Sequence, residues 1–305
     1  MKPLSRKKRT LYFIFSTCVL IVTAPLVVLY SMGYRFDTIL GFGQVGGIYT
    51  TAPMNEVDFS LNDKSLGRST FFKRSALFQD IHPGIYKFSA TKDGYYSWHK
   101  DVHVLAENVV ELHPFMLPAK PVLTIIPKEI PVNTSSTATT SRPQLKNKDT
   151  EINQNYKTVA ALFTPPVPLK PETTNVDTVV KEGPLKKVPG MVSKDKIDIW
   201  YEGGKIFARW NGQIEYAPIF FCSELVCSRE ILIYTGPSPI THLDFLPSRN
   251  DVVLFSSKDG VYAVEADATA PKNIQPLYEK NADFRISEDG VIYIKDKEDF
   301  YTYEL

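Results

Sequence analysis

Cysteine is scarce, three in 305 residues, which excludes a disulfide-dense scaffold. Acidic residues are missing from the first ten positions, which hold Lys2, Arg6, Lys7, Lys8 and Arg9, and charge of either sign is missing from Leu11 to Met32. The formal charge is +1, and without the first ten residues it is −4. The basic domain expected of a nucleic-acid binder is therefore missing, and no nucleic-acid partner is expected. No Gly-x-Ser-x-Gly, His-Glu-x-x-His or phosphate-loop motif is present, so no catalytic residue, metal or cofactor is expected.

The uncharged run LYFIFSTCVLIVTAPLVVLYSM covers residues 11–32. As a helix it spans about 33 Å, enough for a hydrocarbon core of roughly 30 Å. Five basic residues precede it, and only Arg35 lies in the twenty that follow. The positive-inside rule then puts the N-terminus in the cytoplasm and the rest of the chain outside. A cleavable signal would need a small-x-small site after the apolar core. Thr23-Ala24 runs straight into Pro25, so an uncleaved single-pass anchor is preferred. The reading of Cys18 is a small apolar residue facing lipid.

Beyond the anchor, composition divides the chain into a glycine-rich spacer (33–45), a β segment (46–117), a linker (118–190) and a second β segment (191–305). The linker holds 11 of the 22 prolines and the run VNTSSTATTSRPQLKNKDTEINQN. It has too few large apolar residues to offset ordering entropy, and is expected to be disordered. The β segments alternate aromatic and β-branched runs (IYKFSA, KIFARW, EILIY, DVVLF, VIYIK) with turn dipeptides at Asp93-Gly94, Asn211-Gly212, Asp259-Gly260 and Asp289-Gly290. An all-β fold outside the membrane follows. SSKDGVYAVE (256–265) recurs as RISEDGVIYIKD (285–296), a weak repeat suggesting a partial, propeller-like assembly. About 115 residues are too few for four blades of about 40.

Residues 46–117, with IYTTAP, VDFSLNDKSLGRS and HPGIYKFSATKDGYYSW, resemble the PEGA domain, a small β-sandwich-like module of envelope proteins. Pro53-Met54-Asn55-Glu56 stands where the naming motif would be. The layout as a whole, with its GYRFD sequence at Gly33–Asp37, is similar to membrane-anchored bacterial envelope proteins that carry a PEGA module and propeller-like repeats. That resemblance implies a cell-envelope location and no known catalysis. The residues themselves give a core list of Phe59, Leu61, Phe71, Phe72, Leu77, Phe78, Ile81, Tyr86, Phe88 and Trp98.

Several groups invite a functional reading. Gly41, Gly43 and Gly46 fit G-x-G-x-x-G, but no helix follows to meet a phosphate, so they read as a flexible spacer. His99 and His103 would lie about 13 Å apart on a strand, too far for one metal. Tyr95, Tyr96 and Trp98 either pack a core or stack on a ligand, and Tyr96 and Trp98 should be buried or exposed together. Arg68, Lys73 and Arg74 surround Phe71-Phe72 as a basic patch that could meet anionic headgroups or wall polymer, or be a solvated face. Cys222 and Cys227, outside the membrane on this topology, are expected to form a disulfide in a tight loop, with α-carbons 4.4–6.8 Å apart. The expected partners are the bilayer, through residues 11–32, and a cell-wall or surface-layer polymer or envelope protein. The expected function is non-catalytic presentation of β binding modules. The alternative is an envelope enzyme or sensor with an unrecognised site in residues 191–305.

Overall fold

The structure, a computed structural model, describes residues 6–37, 41–128, 155–164, 190–223 and 226–305. The apolar run forms helix α1 (Arg6–Ser31), 26 residues with none buried and Pro25 inside it. Its mean hydropathy reaches 2.3, and it is long and apolar enough to cross a membrane. The hydroxyls on it turn inward: Thr17 donates to the Phe13 carbonyl and Thr23 to the Val19 carbonyl, both at 2.9 Å. These two hydroxyls are thus satisfied within the helix, an arrangement compatible with a lipid environment.

The described residues fall into two units, one within 1–92 and 97–115, the other within 93–96 and 116–305. In the first unit, α1 is followed by a hairpin of β1 (Tyr34–Asp37) and β2 (Gly41–Gln44), where a flexible spacer was expected. Gly41 and Gly43 lie in β2 and Gly46 opens β3 (Gly46–Thr51). The glycine pattern is therefore strand and not a nucleotide loop. The remaining strands are β4 (Asp58–Leu61), β5 (Lys64–Arg68), β6 (Ser75–Ile81), β7 (Gly84–Thr91), β8 (Trp98–Val104) and β9 (Val109–Leu112). They make two sheets ordered β6-β3-β9 and β5-β4-β7-β8, with β3 and β9 parallel. Strict alternation on β8 buries Trp98, Val102 and Val104 and exposes His99, Asp101 and His103. Phe59 meets Phe78 across the sheets and Phe88 beside it, and Phe88 meets Trp98. Phe71 and Phe72 are not core, being 69% and 95% exposed, and Leu77 is exposed as well.

The second unit has three four-stranded antiparallel sheets. Sheet A is β11 (Val192–Lys194), β12 (Ile197–Glu202), β13 (Lys205–Trp210) and β16 (Glu230–Thr235), with a small hairpin of β14 (Cys222–Ser223) and β15 (Val226–Cys227) inserted before β16. Sheet B is β17 (Ile240–Phe245), β18 (Val252–Ser257), β19 (Gly260–Glu265) and β20 (Ile274–Tyr278). Sheet C is β21 (Asp283–Ile286), β22 (Ile292–Asp296) and β23 (Asp299–Tyr303), with β10 (Leu123–Ile126) on the outer edge of β23. The sheets are open, and the described residues close neither a barrel nor a propeller ring.

Sheets A and B share one core, in which Ile197, Ile199 and Ile231 face Leu243, Phe245 and Phe255. Strand β18 is buried at all six positions, as expected for a strand covered on both faces. Gly260 and Gly290 adopt positive φ at their turns, but Gly212 does not. Asn211-Gly212 instead opens the long connection to the β14–β15 hairpin. The two-residue turn between β11 and β12 uses Asp195 and Lys196, both at positive φ. The sequence repeat does not mark equivalent strands: its first copy spans the second and third strands of sheet B, its second copy the first and second of sheet C.

Two stretches of the expected linker are structured. Strand β10 extends sheet C, and a short helix, α2 (residues 155–162), packs on it. Both rest on Phe300, which is buried against Ile126 and Val159, with the Tyr156 and Phe163 rings each 5.3 Å from it. The expectation of an all-β chain beyond α1 is corrected by α2, a short helix whose apolar side is covered by sheet C. The linker expectation for 129–154 and 165–189 lies outside the described residues. Phe300→Ala should cost about 3 kcal/mol through lost contacts and a cavity. Hydrogen exchange should then rise together in 123–126 and 155–162, whereas a response confined to β23 would refute the shared anchor.

Candidate functional site

Of the residues singled out in the sequence, Arg68, Lys73 and Arg74 belong to one feature, the connection between β5 and β6. Thr70 and Lys73 exchange backbone hydrogen bonds at 3.0 and 3.2 Å, and the Thr70 hydroxyl accepts from the Lys73 N–H as well. This tight turn holds Phe71 and Phe72 at its tip, edge to face with ring centroids 5.3 Å apart. The turn is pinned from behind by Ser69, a buried residue that the sequence reading missed. Its hydroxyl accepts from Val57 N–H (2.9 Å) and donates to the Met54 carbonyl (3.1 Å), and its backbone bonds to Val57 and Glu56. Arg68 is committed to a bidentate pair with Asp58, both contacts at 2.7 Å, whose hydrogen bond lowers the Asp58 carboxyl below its usual range. Among the described residues, Lys73 and Arg74 have no ion-pair partner. The tip is thus a rigid, wholly apolar pair of rings flanked by two cations.

Its position follows from register. Strand β3 begins beside the helix end, where Val45 N–H bonds to the Gly33 carbonyl, and Thr51 at its other end pairs with Ser75. The aromatic tip therefore lies at the end of β3 away from α1, about 17 Å along the strand.

Tyr95, Tyr96 and Trp98 do not form one site. Trp98 is 1% exposed and packs on Phe88 in the first unit, so it cannot contact a ligand. Tyr95 and Tyr96 belong to the second unit and are half-buried. Tyr95 bridges to Pro118, and Tyr96 N–H bonds to the Leu117 carbonyl at 2.9 Å. Leu117 N–H in turn donates to Gln275 at 2.7 Å. Residues 95 and 96 are therefore backbone stitching, and the expectation that Tyr96 and Trp98 share an environment fails because the strand begins only at Trp98.

Cys222 and Cys227 are disulfide-bonded, directly opposite each other in the β14–β15 hairpin. Their α-carbons are 3.8 Å apart, closer than the expected window of 4.4–6.8 Å. Phe221, buried in the core shared by sheets A and B, roots the hairpin. Replacing both cysteines by serine should cost about 2 kcal/mol, the loop entropy of a six-residue ring. A denaturation midpoint unchanged from that of the oxidised chain would contradict it.

A second cluster was invisible in the sequence. Edge strand β17 lies against edge strands β11 and β21 in the second unit, and together they gather Lys194, His242, Asp244, Asp283 and Arg285. Arg285 pairs with Asp283 at 2.8 Å. Asp283 accepts from the Ser256 hydroxyl at 3.2 Å, and Ser256 shares a 2.9 Å hydrogen bond with Thr241. His242 packs against Phe284 with centroids 4.9 Å apart and the rings tilted by 59°, and its Nε2 is buried with no hydrogen-bond partner among the described residues. Burial first, then the Arg285 charge, push the imidazole from 6.5 down to about 4, with Asp283 pulling the other way. Burial raises the Asp244 carboxyl, opposed by the Phe245 N–H and by Lys194 and Arg285. Phe163, following α2, lies 5.2 Å from the Arg285 guanidinium. No group of three or more metal-ligating side chains occurs among the described residues.

Comparison with protein-family models finds no match, and comparison with curated proteins finds none either.

The His242 environment sets a pH dependence. The unfolded chain protonates this histidine near 6.5 and the folded chain only near 4. Between those values the unfolded state binds more protons, so stability falls as pH falls, by on the order of 3 kcal/mol. The raised Asp244 acts in the opposite direction and blunts the slope. His242→Phe should flatten unfolding free energy between pH 6.5 and 4, and an unchanged slope would remove His242 as its source.

Proposed function

We propose that this chain is a non-catalytic, membrane-anchored protein of a bacterial cell envelope, with α1 in the membrane and both β units outside the cytoplasm. On this reading the first unit is a PEGA-like module and the three sheets of the second are propeller-like blades. The observation that carries the proposal is the Phe71–Phe72 tip, preorganised by Ser69 and set at the end of β3 away from α1. Two rings of this exposure in a rigid turn have no folding role, and an exposed apolar feature with a polar rim is what a binding surface presents. Flat aromatic faces stack on sugar rings, and Lys73 and Arg74 add attraction for acidic groups. The ligand chemistry that fits is an anionic wall or surface polysaccharide.

The alternative, an envelope enzyme or sensor, draws on the unpartnered, neutral His242 beside Asp283. Among the described residues, no nucleophile with a paired general base stands beside His242 to carry that reading further, and its neighbours Asp283 and Arg285 are committed to each other at 2.8 Å.

Full-length protein in nanodiscs should sediment with purified wall polymer. Phe71→Ser with Phe72→Ser should weaken this at least tenfold. Lys73→Glu with Arg74→Glu should weaken it and remove most of its salt dependence. Undiminished binding by both double variants would reject the tip as the binding surface, and capture of an envelope protein without polymer would redirect the reading to a protein partner.

A further inference from the structure

The glycines of Asp93-Gly94, Asp259-Gly260 and Asp289-Gly290 take positive φ, and that of Asn211-Gly212 does not. A two-residue hairpin turn of the Asn-Gly kind needs both residues at positive φ, so this dipeptide serves no such turn. Asn211 instead follows β13 as an exposed residue, its backbone N–H donating to the Lys196 carbonyl at 2.8 Å. Among the described residues, neither its side chain nor the Gly212 N–H makes a hydrogen bond. Other asparagines are tied down. Asn62 accepts from the Lys87 N–H at 2.8 Å, and Asn273 donates to Glu265 at 3.0 Å.

That freedom has a chemical consequence. Of the chain's asparagines, Asn211 alone precedes glycine, which has no side chain to shield its backbone nitrogen. The Gly212 nitrogen can attack the side-chain carbonyl carbon of Asn211. A C–N bond forms, the amide nitrogen leaves as ammonia, and a five-membered succinimide results. Water then opens the ring at either carbonyl. One product is aspartate. The other is isoaspartate, whose backbone runs through the side-chain carboxyl and is one carbon longer. Water is the only co-reactant. The attack needs a side chain free to turn and a nitrogen free of a hydrogen bond, and Asn211 and Gly212 supply both. Packing also keeps the glycine in place, since a Cβ on residue 212 would stand 2.3 Å from the Trp210 ring.

We infer that Asn211 is a site of spontaneous deamidation, the first asparagine of the folded chain to convert, and that its isoaspartate form loosens the connection to the disulfide hairpin. Trp210 belongs to the core shared by sheets A and B. Its Nε1 donates to the Gln213 carbonyl at 2.8 Å, and the same carbonyl accepts from the Tyr216 N–H at 3.0 Å. Both contacts depend on the backbone length between residues 210 and 213. An added carbon and a new negative charge at position 211 displace Gly212 and Gln213 from the indole. The core behind Trp210 does not depend on them.

The test ages the full chain at neutral pH, folded in detergent and, in parallel, unfolded in urea. Mass spectrometry of tryptic peptides follows every asparagine, and an isoaspartyl methyltransferase labels the isoaspartate formed. The peptide covering residues 210–229 should acquire the amide-to-carboxyl mass change before any other asparagine peptide. Its rate in the folded chain should lie within tenfold of that in the unfolded chain. Asn211→Gln, whose longer side chain cannot close the five-membered ring, should remove that change and most of the labelling. Hydrogen exchange in residues 211–217 should rise on ageing in the natural chain and not in Asn211→Gln. Protection of Asn211 by more than tenfold on folding, earlier conversion of another asparagine, or undiminished labelling of Asn211→Gln would overturn the site. Conversion that leaves exchange in residues 211–217 unchanged would overturn the loosening.

Discussion

Short antiparallel strands with one apolar face cannot stand alone, because a small sheet leaves that face and its edges in water. The second unit is organised by this constraint. Sheet B, buried along the whole of β18, requires a neighbour on each side, and sheet A supplies one of them through the core around Leu243 and Phe255. Sheet C has only three strands of its own and takes a fourth from residues 123–126. Its Phe300 then holds α2. Chain far upstream is recruited because the last sheet would otherwise leave an edge unpaired.

The same constraint produces the polar cluster. When edge strands of adjacent sheets converge, their charged side chains are drawn into half-burial and must pair with one another. Arg285 and Asp283 do so directly, and Ser256 supplies Asp283 with a further hydrogen bond. His242 meets the demand differently, by losing its proton. Such a cluster makes stability sensitive to acid.

In the first unit, rigidity is concentrated at both ends of β3. Near α1, Arg35 ties the last turn of the helix to Asp80 of β6, so the helix and the sheet share one joint. At the far end, Ser69 fixes the turn that carries Phe71 and Phe72. Preorganised rings lose little conformational freedom on binding, which favours affinity from a small contact.

The sequence by itself determined what depends on neighbours along the chain. The apolar run sets α1, the Asp-Gly dipeptides set the turns at Gly260 and Gly290, and period-two alternation sets the two faces of β8. The spacing of Cys222 and Cys227 was compatible with the bond they form. Tertiary structure alone decided the rest. Phe71 and Phe72 read as core because large aromatics usually are, yet a turn tip has no sheet opposite it. Residues 123–126 and 155–162 sit within a proline-rich composition, and only an open edge on β23 gives them a place. The meeting of Lys194, His242, Asp244, Asp283 and Arg285 joins three strands separated by dozens of residues, and Asp80 meets Arg35 across 45 positions. Local periodicity carries no record of such pairings, because they are fixed by which surfaces remain uncovered once the sheets have formed.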